Sequence, residues 1–290
     1  MNAIIFGINS QDGIYLKEIL ESKNIVVKGV SRSVGEWIVG DIGDYEFVSE
    51  LIKNEKPSYI FHLAANSTTR HNVLFENHKT ISSGTLNVLE SVKLYSPITK
   101  VFITGSGVQF KNVGVPIKET DEFEGNSPYS VARIHSVYAA RYYRSLGIQT
   151  YIGYLFHHES PYRKHHHISK LTTDFIKSIG TKTTEKLELG DINVKKEWAY
   201  AKDIAEAIYT LVNQDVVWES TIGTGEIYSI KEWLINCFEI KGLNWENYVV
   251  TKNSDFKPEY NILQSNPSTI KSLGWKPMTS FYELAKIMME

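Results

Sequence analysis

Short apolar runs alternate with amphipathic stretches through the first half of the chain, and this rhythm limits the fold more than any other feature. The run AIIFG at 3–7 predicts a buried strand, and the stretch 13–23 that follows has apolar residues at helical spacing. The same pairing recurs up to a long predicted helix over 127–146 and a strand after it. Strands that alternate with helices form parallel sheets covered on both faces, so we predict an α/β fold with a Rossmann-type, doubly wound parallel sheet.

Composition excludes several classes of protein. The 290 residues are 42% hydrophobic, enough for a substantial core, and the net charge of -2 gives no argument for a nucleic-acid partner. The single cysteine, Cys237, cannot form an intrachain disulfide, which fits a reducing compartment. The first residues lack the pattern of a signal peptide, and no apolar segment approaches the roughly 20 residues that span a bilayer. We therefore expect a soluble, cytoplasmic protein without a membrane partner.

The first predicted strand runs into the loop GINSQDG, which opens the first predicted helix. Its spacing is that of a G-x-x-G-x-x-G loop in which Ser10 replaces the middle glycine. Glycines here let the chain turn tightly and let a pyrophosphate approach backbone N–H groups at a helix N-terminus. We favour dinucleotide binding over a strand–turn–helix corner without a ligand, and the Ser10 hydroxyl is able to donate to phosphate.

The second predicted strand ends in VKGVSRS, which places Arg32 between Ser31 and Ser33. A carboxylate there would bind the ribose 2′-hydroxyl and favour NAD, whereas an arginine flanked by hydroxyls suits a 2′-phosphate. This pattern favours NADP; an exposed arginine at a strand end is the competing interpretation. Asp41, beside Ile42, is placed to hydrogen-bond the adenine amine, and small residues in LAANS would let a dinucleotide lie against the backbone.

The stretch NSPYSVARIHSVYAARYY puts Tyr129 and Arg133 one helical turn apart. A free tyrosine, with a pKa of about 10, is a poor base at neutral pH, and a cation at this spacing favours its phenolate. Ser106, which follows the predicted strand KVFITG, is placed to hydrogen-bond a reacting oxygen. A capped loop serine and an ordinary helix pair are the alternative. We predict Ser106, Tyr129 and Arg133 as the catalytic residues.

Together these residues resemble the extended short-chain dehydrogenase/reductase superfamily, and within it the GDP-mannose 4,6-dehydratase branch. The resemblance covers nearly the whole chain through GINSQDGIYLKEIL, NSPYSVARIHSVYAARYYR, YLFHHESPYR, LGDINVKKEWAYAKDIAEAI and SNPSTIKSLGWKPMTSFYELAKIM. It implies a Rossmann domain, a tightly held nicotinamide cofactor (NAD(P)), a nucleotide-sugar substrate that is GDP-linked, and transient oxidation of the sugar at C4. It also implies a homodimer or homotetramer.

The resemblance carries residue roles over by position. It implies pyrophosphate contacts from Gly7, Ile8, Asn9, Ser10, Gln11, Asp12 and Gly13, and a 2′-phosphate contact from Arg32. Further cofactor contacts are implied at Asp41, Ile42, Leu63, Ala64, Ala65, Ser67, Tyr129, Arg133, His158 and Arg163. Substrate contacts are implied at Ser106, Val108, His157, Lys170, Lys196 and Lys257.

Two departures from the branch bear on the chemistry. Arg133 stands where lysine is usual; it keeps the positive charge but does not release a proton readily, so we expect an altered, slower site. Val108 stands where the dehydratases carry an acidic residue that assists elimination of water, and no carboxylate lies between Ser106 and Glu119. Hydride transfer at C4 needs only the residues that are present.

The histidine run 165–167 does not predict a metal site, because no Cys/His set at ligand spacing accompanies it. Contact with sugar or phosphate and simple exposure are the two interpretations. The rhythm of the first half breaks after Phe156, which predicts a smaller interleaved lobe. We expect a dinucleotide-binding domain from 1–164 plus 197–225, and a nucleotide-sugar-binding lobe from 165–196 plus 226–290.

These observations place an NAD(P)-dependent oxidoreductase acting at C4 of a nucleotide-linked sugar, as a 4-keto reductase or C4 dehydrogenase, ahead of other hypotheses. A 4,6-dehydratase with a displaced acid and a 4-epimerase are the enzymatic alternatives. A non-catalytic sugar-nucleotide-binding protein is the alternative from another class.

Overall fold

The structure of the chain, a computed structural model, describes residues 1–180, 186–252 and 260–290. Its strands are β1 (Asn2–Phe6), β2 (Val26–Ser31), β3 (Ile38–Val39), β4 (Tyr59–His62), β5 (Lys100–Ser106), β6 (Thr150–Leu155), β7 (His158–Glu159), β8 (Leu187–Leu189), β9 (Lys195–Lys196), β10 (Ala199–Tyr200), β11 (Glu219–Ile222), β12 (Tyr228–Ser229), β13 (Val249–Thr251) and β14 (Ile262–Leu263).

Helices follow most of the long strands. They are α1 (Gln11–Ser22), α2 (Tyr45–Glu55), α3 (Leu74–Asn77), α4 (Gly84–Tyr95), α5 (Pro128–Ser145), α6 (Ile168–Ser178), α7 (Ala201–Val212), α8 (Ile230–Glu239), α9 (Ser268–Ser272) and α10 (Phe281–Met289), with shorter helical turns at His71–Val73, His78–Ser83, Gly107–Gln109 and Trp245–Asn247. Among the described residues, no helix combines the length and apolarity needed to cross a membrane.

One seven-stranded sheet organises the chain, in the order β11-β6-β5-β4-β1-β2-β3. Every neighbouring pair in it is parallel, so the predicted Rossmann-type sheet is confirmed. The strand order reverses between β1 and β4. In sheets of this type, ligands bind outside the carboxyl ends of the strands at such a reversal.

Both faces of the sheet are covered, because successive side chains of a strand point to opposite faces. Ala3 and Ile5 of β1 belong to one buried cluster, which contains α1 and α7, whereas Ile4 and Phe6 belong to the other, which contains α2, α4 and α5. The apolar run that predicted β1 is thus explained by burial on both sides.

A third apolar cluster lies among the elements of the C-terminal part. Trp198 and Trp233 stack there with ring centroids 4.6 Å apart, and Phe281 of α10 packs against both. Small sheets accompany this cluster, in the orders β12-β9-β14 and β13-β8. The domain boundaries expected from the sequence stay a prediction.

The chain returns to the first half near its C-terminus through main-chain contacts of the segment 262–266, which we call the return segment. Its start, β14, pairs with β9. Asn112 donates from Nδ2 to the Ile262 carbonyl at 2.6 Å, and Ile117 donates its N–H to the Gln264 carbonyl at 2.9 Å. The return segment therefore bonds to both β9 and the loop that follows β5.

Candidate active site

A cavity of about 540 Å³ opens at the carboxyl ends of the central strands, where the strand order reverses. Most of the predicted site residues line it: Gly7, Asn9, Ser10, Gln11, Asp12, Arg32, Asp41, Ile42, Leu63, Ala64, Ala65, Ser67, Ser106, Val108, Tyr129, Arg133, His157, His158 and Arg163. Ile8, Gly13, Lys170 and Lys196 are not part of its lining. Lys257 lies outside the described residues.

The glycine loop forms a close cradle at one end of the cavity. Gly7 has a φ of +92°, and a Cβ added there would lie 2.7 Å from the Ala64 backbone nitrogen. A Cβ on Gly13 would lie 2.4 Å from the Gly7 carbonyl oxygen. Both positions therefore require glycine: the loop after β1 comes close to the chain after β4, and the first turn of α1 comes close to that loop. A cradle of this shape at a helix N-terminus fits the pyrophosphate of a dinucleotide.

Ser10 has a different role from the one that its position suggested. Its hydroxyl donates to the Gly7 carbonyl at 2.7 Å and accepts from the Gly13 N–H at 3.0 Å, which caps α1. Because a hydroxyl has one hydrogen, donation to a phosphate would require the bond to Gly7 to break. Ser10 thus shapes the loop, and its predicted bond to phosphate stays a prediction.

Ser106 ends β5 at the other end of the cavity. In the sheet it pairs in register with Leu155 of β6, so the chain leaves both strands side by side. The Ser106 N–H donates to Oε1 of Gln109 at 2.8 Å, and the Gln109 side chain is fully buried. This bond fixes the direction in which the chain leaves β5.

Tyr129 and Arg133 come from the first two turns of α5. The helix starts here because Ser127 accepts from the Ser130 N–H and Pro128 takes the first helical position. The Tyr129 side chain is partly buried and lines the cavity with Ser106. The structure therefore brings the three predicted catalytic residues to one end of the cavity.

Arg133 is 3% exposed and makes two contacts that hold it in place. Its Nη1 donates to the Thr104 carbonyl at 2.6 Å, and its guanidinium carbon lies 5.1 Å from the centroid of the Tyr129 ring. The charge also acts on His62, which is fully buried behind it. Burial, and then repulsion from Arg133, lowers the pKa of His62 to about 3, so this imidazole is neutral.

The segment after β6 bonds to the start of α1. His158 Nε2 lies 2.9 Å from Asp12 Oδ1, and its Nδ1 lies 2.7 Å from the Phe156 carbonyl. Gln11 Nε2 donates to the His158 carbonyl at 3.2 Å. Burial works to lower the pKa of His158, but the Asp12 carboxylate outweighs it and the pKa is raised. His158 therefore links the two loops as well as lining the cavity.

A buried cluster of charges lies beside this segment. The Glu159 carboxylate is fully buried, with His157 Nε2 at 2.7 Å and Arg163 Nε at 3.2 Å. Burial works to raise its pKa, but Arg163 and His157 hold the pKa well below its usual range. Lys196 Nζ lies 2.9 Å from His157 Nε2, and burial lowers the pKa of Lys196 to about 8. The cluster keeps Arg163 and His157 at the cavity wall and holds Lys196 behind it.

The part of the cavity where Arg32 lies, away from Ser106, is also charged. Arg32 Nη2 donates to Oε1 of Glu76 at 2.8 Å, so the cation predicted for a 2′-phosphate already has a carboxylate partner. Asp41 Oδ2 accepts from Lys79 Nζ at 2.8 Å and Oδ1 accepts from the Gly43 N–H. Burial works to raise the pKa of Asp41, but the bond to Lys79 outweighs it and the pKa is lowered.

Carboxylates are scarce where Ser106 and Tyr129 line the cavity. Among the described residues that line it, Asp12 and Asp41 are the carboxylates, and both lie toward the glycine loop and Arg32. Val108 packs partly buried against the apolar cluster on its face of the sheet. The acid expected to be missing near Ser106 is therefore not supplied by another carboxylate of the described lining.

The histidine run 165–167 divides in the structure. His165 is exposed and its Nδ1 lies 2.6 Å from Asp174, whereas His167 lines the cavity. Burial, and then Arg163, lowers the pKa of His167 to about 3, so its imidazole is neutral. Within the described parts of the chain, no group of three or more potential ligands could hold a metal ion.

Sequence reasoning missed several residues that shape this site. Glu76 and Gln109 act through partners that the structure brings together, and no local pattern marks them. Lys164 also lines the cavity and carried a signal, since it follows the predicted Arg163 in a strongly basic stretch, whereas His167 lines it as one of the two interpretations of the histidine run allowed. Lys170 was predicted as a substrate contact, but its Nζ lies 3.1 Å from Asp174 in the next turn of α6.

Comparison with known proteins agrees with this architecture. GDP-mannose 4,6 dehydratase 1 of Arabidopsis thaliana is 29% identical over 321 residues, covering 99% of this chain and 88% of that protein. UDP-glucose 4-epimerase of Thermotoga maritima, solved with UDP-glucose, superposes with a TM-score of 0.89 at 21% identity, covering 100% of this chain and 97% of that one. dTDP-glucose 4,6-dehydratase of Bacillus anthracis, solved with NAD, has a TM-score of 0.85 at 18% identity, covering 100% and 95%.

The fold and the cavity define a Rossmann-type α/β protein with a candidate ligand site at the carboxyl ends of its parallel strands. The sequence profile of GDP-mannose 4,6 dehydratase matches residues 33–288 of the 290. The chain therefore belongs to the GDP-mannose 4,6-dehydratase family.

Proposed function

We propose that this chain is a nicotinamide-dependent enzyme acting at C4 of a nucleotide-linked sugar, and that its overall reaction is the 4,6-dehydration of a GDP-linked hexose. The observation that carries the C4 chemistry is the position of Ser106 and Tyr129 at one end of a cavity whose other end is the glycine loop. Family membership over nearly the whole chain supports dehydration and a GDP-linked substrate. The sequence alone ranked a C4 oxidoreductase ahead of a dehydratase, and family membership reverses that order.

The cofactor is held, in this proposal, by the cradle of Gly7 and Gly13 and by the residues along β2 and β4. A nicotinamide held there would supply the hydride chemistry that oxidation at C4 and reduction at C6 require. Arg32, with the hydroxyls of Ser31 and Ser33 beside it, supports the preference for NADP that the sequence suggested.

The proton chemistry belongs to side chains of the chain. Tyr129 accepts the proton of the C4 hydroxyl, and Ser106 donates a hydrogen bond to the same oxygen. Arg133 places a fixed positive charge against the Tyr129 ring, and its bond to the Thr104 carbonyl prevents it from moving away. Since Arg133 keeps its proton, it acts by position and charge and does not relay protons.

Dehydration also needs a group that takes the C5 proton and delivers a proton to the departing C6 hydroxyl. His157 is poorly suited, because its Nδ1 lies 2.8 Å from the Glu197 carbonyl and its Nε2 faces Lys196 and Glu159. We assign this role to His167, which lines the cavity and forms no hydrogen bond through its ring with the described residues. A neutral imidazole accepts the C5 proton and then passes it to the leaving hydroxyl, so the proton balance closes with the loss of water.

A second candidate function is a change of redox state at C4 without loss of water. Val108 is the observation that favours it, because a valine supplies no acid where the branch has one. This enzyme would be a 4-keto reductase or C4 dehydrogenase, and it would need only Ser106, Tyr129 and Arg133.

Mass spectrometry of the products separates the two functions. The purified protein is incubated with GDP-mannose and with its 4-keto derivative, each with NAD or NADP in both redox states. Loss of water from GDP-mannose supports the dehydratase. A gain or loss of two hydrogens with no water lost would overturn dehydration and support the second candidate, and a product of unchanged mass whose NMR spectrum shows an inverted C4 would indicate an epimerase.

Two tyrosine variants make the test specific to the site. Tyr129→Phe should reduce turnover about 10²- to 10⁴-fold, the usual contribution of a general acid/base. Tyr138→Phe, an exposed position on the same helix, should leave turnover unchanged. Nucleotide-sugar binding without turnover in the unaltered protein would instead show a non-catalytic binding protein.

A further inference from the structure

The Glu76 carboxylate occupies a small anion site beside the cavity. Arg32 Nη2 donates to its Oε1 at 2.8 Å, and Asn66 Nδ2 donates to its Oε2 at 3.3 Å. The bond from Arg32, and then the bond from Asn66, holds the pKa of Glu76 below its usual value, and Lys164 adds a weaker attraction. The Glu76 carboxylate is thus already bound to the Arg32 guanidinium, which a 2′-phosphate would need.

The remaining surroundings of Arg32 are those of a phosphate site. Ser31 Oγ and Ser33 Oγ lie 3.2 Å apart, and Asn9 Nδ2 donates to Ser33 Oγ at 3.1 Å. Arg32, Ser31, Ser33 and Asn9 all line the cavity, whereas Glu76 does not. Arg32 therefore lies between hydroxyl and amide groups on the cavity wall and a carboxylate outside it.

We propose that Glu76 limits the selectivity of this chain for a 2′-phosphorylated dinucleotide, because its carboxylate and the 2′-phosphate compete for Arg32. The inference rests on the proposed nicotinamide cofactor and adds the residue that sets the choice between NADP and NAD. A dinucleotide with a free 2′-hydroxyl leaves the Arg32–Glu76 pair intact. A 2′-phosphate must either draw Arg32 away from Glu76 or bind close to a second negative charge.

The size of the effect follows from exposure. The side chains of Arg32 and Glu76 are 55% and 39% exposed, so water and salt screen the pair. Exposed pairs of this kind shift equilibria by up to about fivefold, and we expect a change in affinity of roughly three- to fivefold. Lys164, on the cavity wall, is positively charged like Arg32, so it moderates the repulsion between a 2′-phosphate and the Glu76 carboxylate.

The test measures dissociation constants of NADPH and NADH by nicotinamide fluorescence, in the unaltered protein and in Glu76→Gln. We expect NADPH to bind roughly three- to fivefold more tightly to Glu76→Gln, and NADH affinity to stay within about twofold. The gain should disappear when Arg32→Gln is combined with Glu76→Gln, since no guanidinium remains to be released. It should also shrink at high salt.

The matched control is Glu50→Gln, which removes the same charge from an exposed position of α2 outside the cavity lining. Unchanged NADPH affinity in Glu76→Gln, or an equal gain for NADPH and NADH, would overturn the role of Glu76. So would the same gain in Glu50→Gln, because the effect would then be one of overall charge. Failure of the unaltered protein to bind either dinucleotide would overturn the proposed cofactor itself, and thermal melting of each variant confirms that it is folded.

Discussion

The Arg133 guanidinium lies against the ring of Tyr129, with its central carbon 5.1 Å from the ring centroid, while Nη1 donates to the Thr104 carbonyl at 2.6 Å. The cation is therefore fixed to β5 and contacts the face of the tyrosine. In this geometry the side chain supplies charge and position together, and neither depends on the release of a proton.

Arg133 variants separate these two contributions. Arg133→Lys keeps the charge, and we expect turnover within about tenfold of the unaltered enzyme. Arg133→Met should lower turnover by about 10²-fold, and it should destabilise the fold by about 1–3 kcal/mol because the Thr104 carbonyl loses its donor in a buried place. Steady-state kinetics and urea unfolding measure the two effects. Full turnover in Arg133→Met would show that no cation is needed at this position.

In a protein that carries His167→Asn, Val108→Glu should restore the rate of water loss from GDP-mannose by about 10²-fold, since a general acid contributes at least that much. The apolar surroundings of position 108 would raise the pKa of the new carboxyl, which suits an acid at neutral pH. Val108→Gln has a similar shape without the titrating proton and should give no gain. If both variants dehydrate alike, shape and not acid catalysis limits the reaction.

His167→Asn should lower water loss by about 10²-fold while C4 oxidation continues. Exchange of the C5 proton of the 4-keto product with deuterated water, followed by NMR, isolates the step that His167 would perform. His165→Asn changes the same residue type in the same run at an exposed position and should leave the exchange rate unaltered. Normal exchange in His167→Asn would exclude His167 as the base.

The bond between Asp12 and His158 predicts a pH-dependent stability. The pKa of His158 is raised above its ordinary value, so the charged imidazole stabilises the fold at low pH, and this contribution disappears as pH rises through the raised pKa. Asp12→Asn should therefore reduce the free energy of unfolding by about 1.5–3 kcal/mol at about pH 5.5, and by much less at about pH 9. Urea unfolding at the two pH values measures the difference. An equal loss at both would mean that His158 is neutral in the folded protein.

The alternating pattern was sufficient to predict the sheet, because burial on both faces leaves a continuous apolar run such as that of β1. The same reasoning predicted a helix over 127–146, which the structure has as α5, and the spacing of Tyr129 and Arg133 marked the pair whose side chains line the cavity. These features are local, or they follow from the rule that the carboxyl ends of parallel strands lie at the same edge of the sheet.

Contacts between distant parts of the chain could not be predicted in the same way. The partner of Arg32 is 44 residues further along, and the hydroxyl of Ser10 turns inward to the loop itself. Lys170 and Lys196 carry the charge expected of phosphate ligands, but Asp174 and His157 lie next to them. Residue type indicated the available polar or charged group in each case, and only the fold determined which group it contacts.

The return segment has a consequence for how ligands enter. It bonds through its main chain to β9 at Ile262 and Leu263, and to the loop after β5 through Asn112 and Ile117. A hinge-like opening between β9 and that loop would have to break the bonds of the return segment to one of them, and Leu263 itself lines the cavity. Substrate exchange should therefore proceed by rearrangement of side chains at the rim of the cavity. Changes of substrate during evolution should arise from substitutions of side chains on the cavity wall, while its backbone keeps its position.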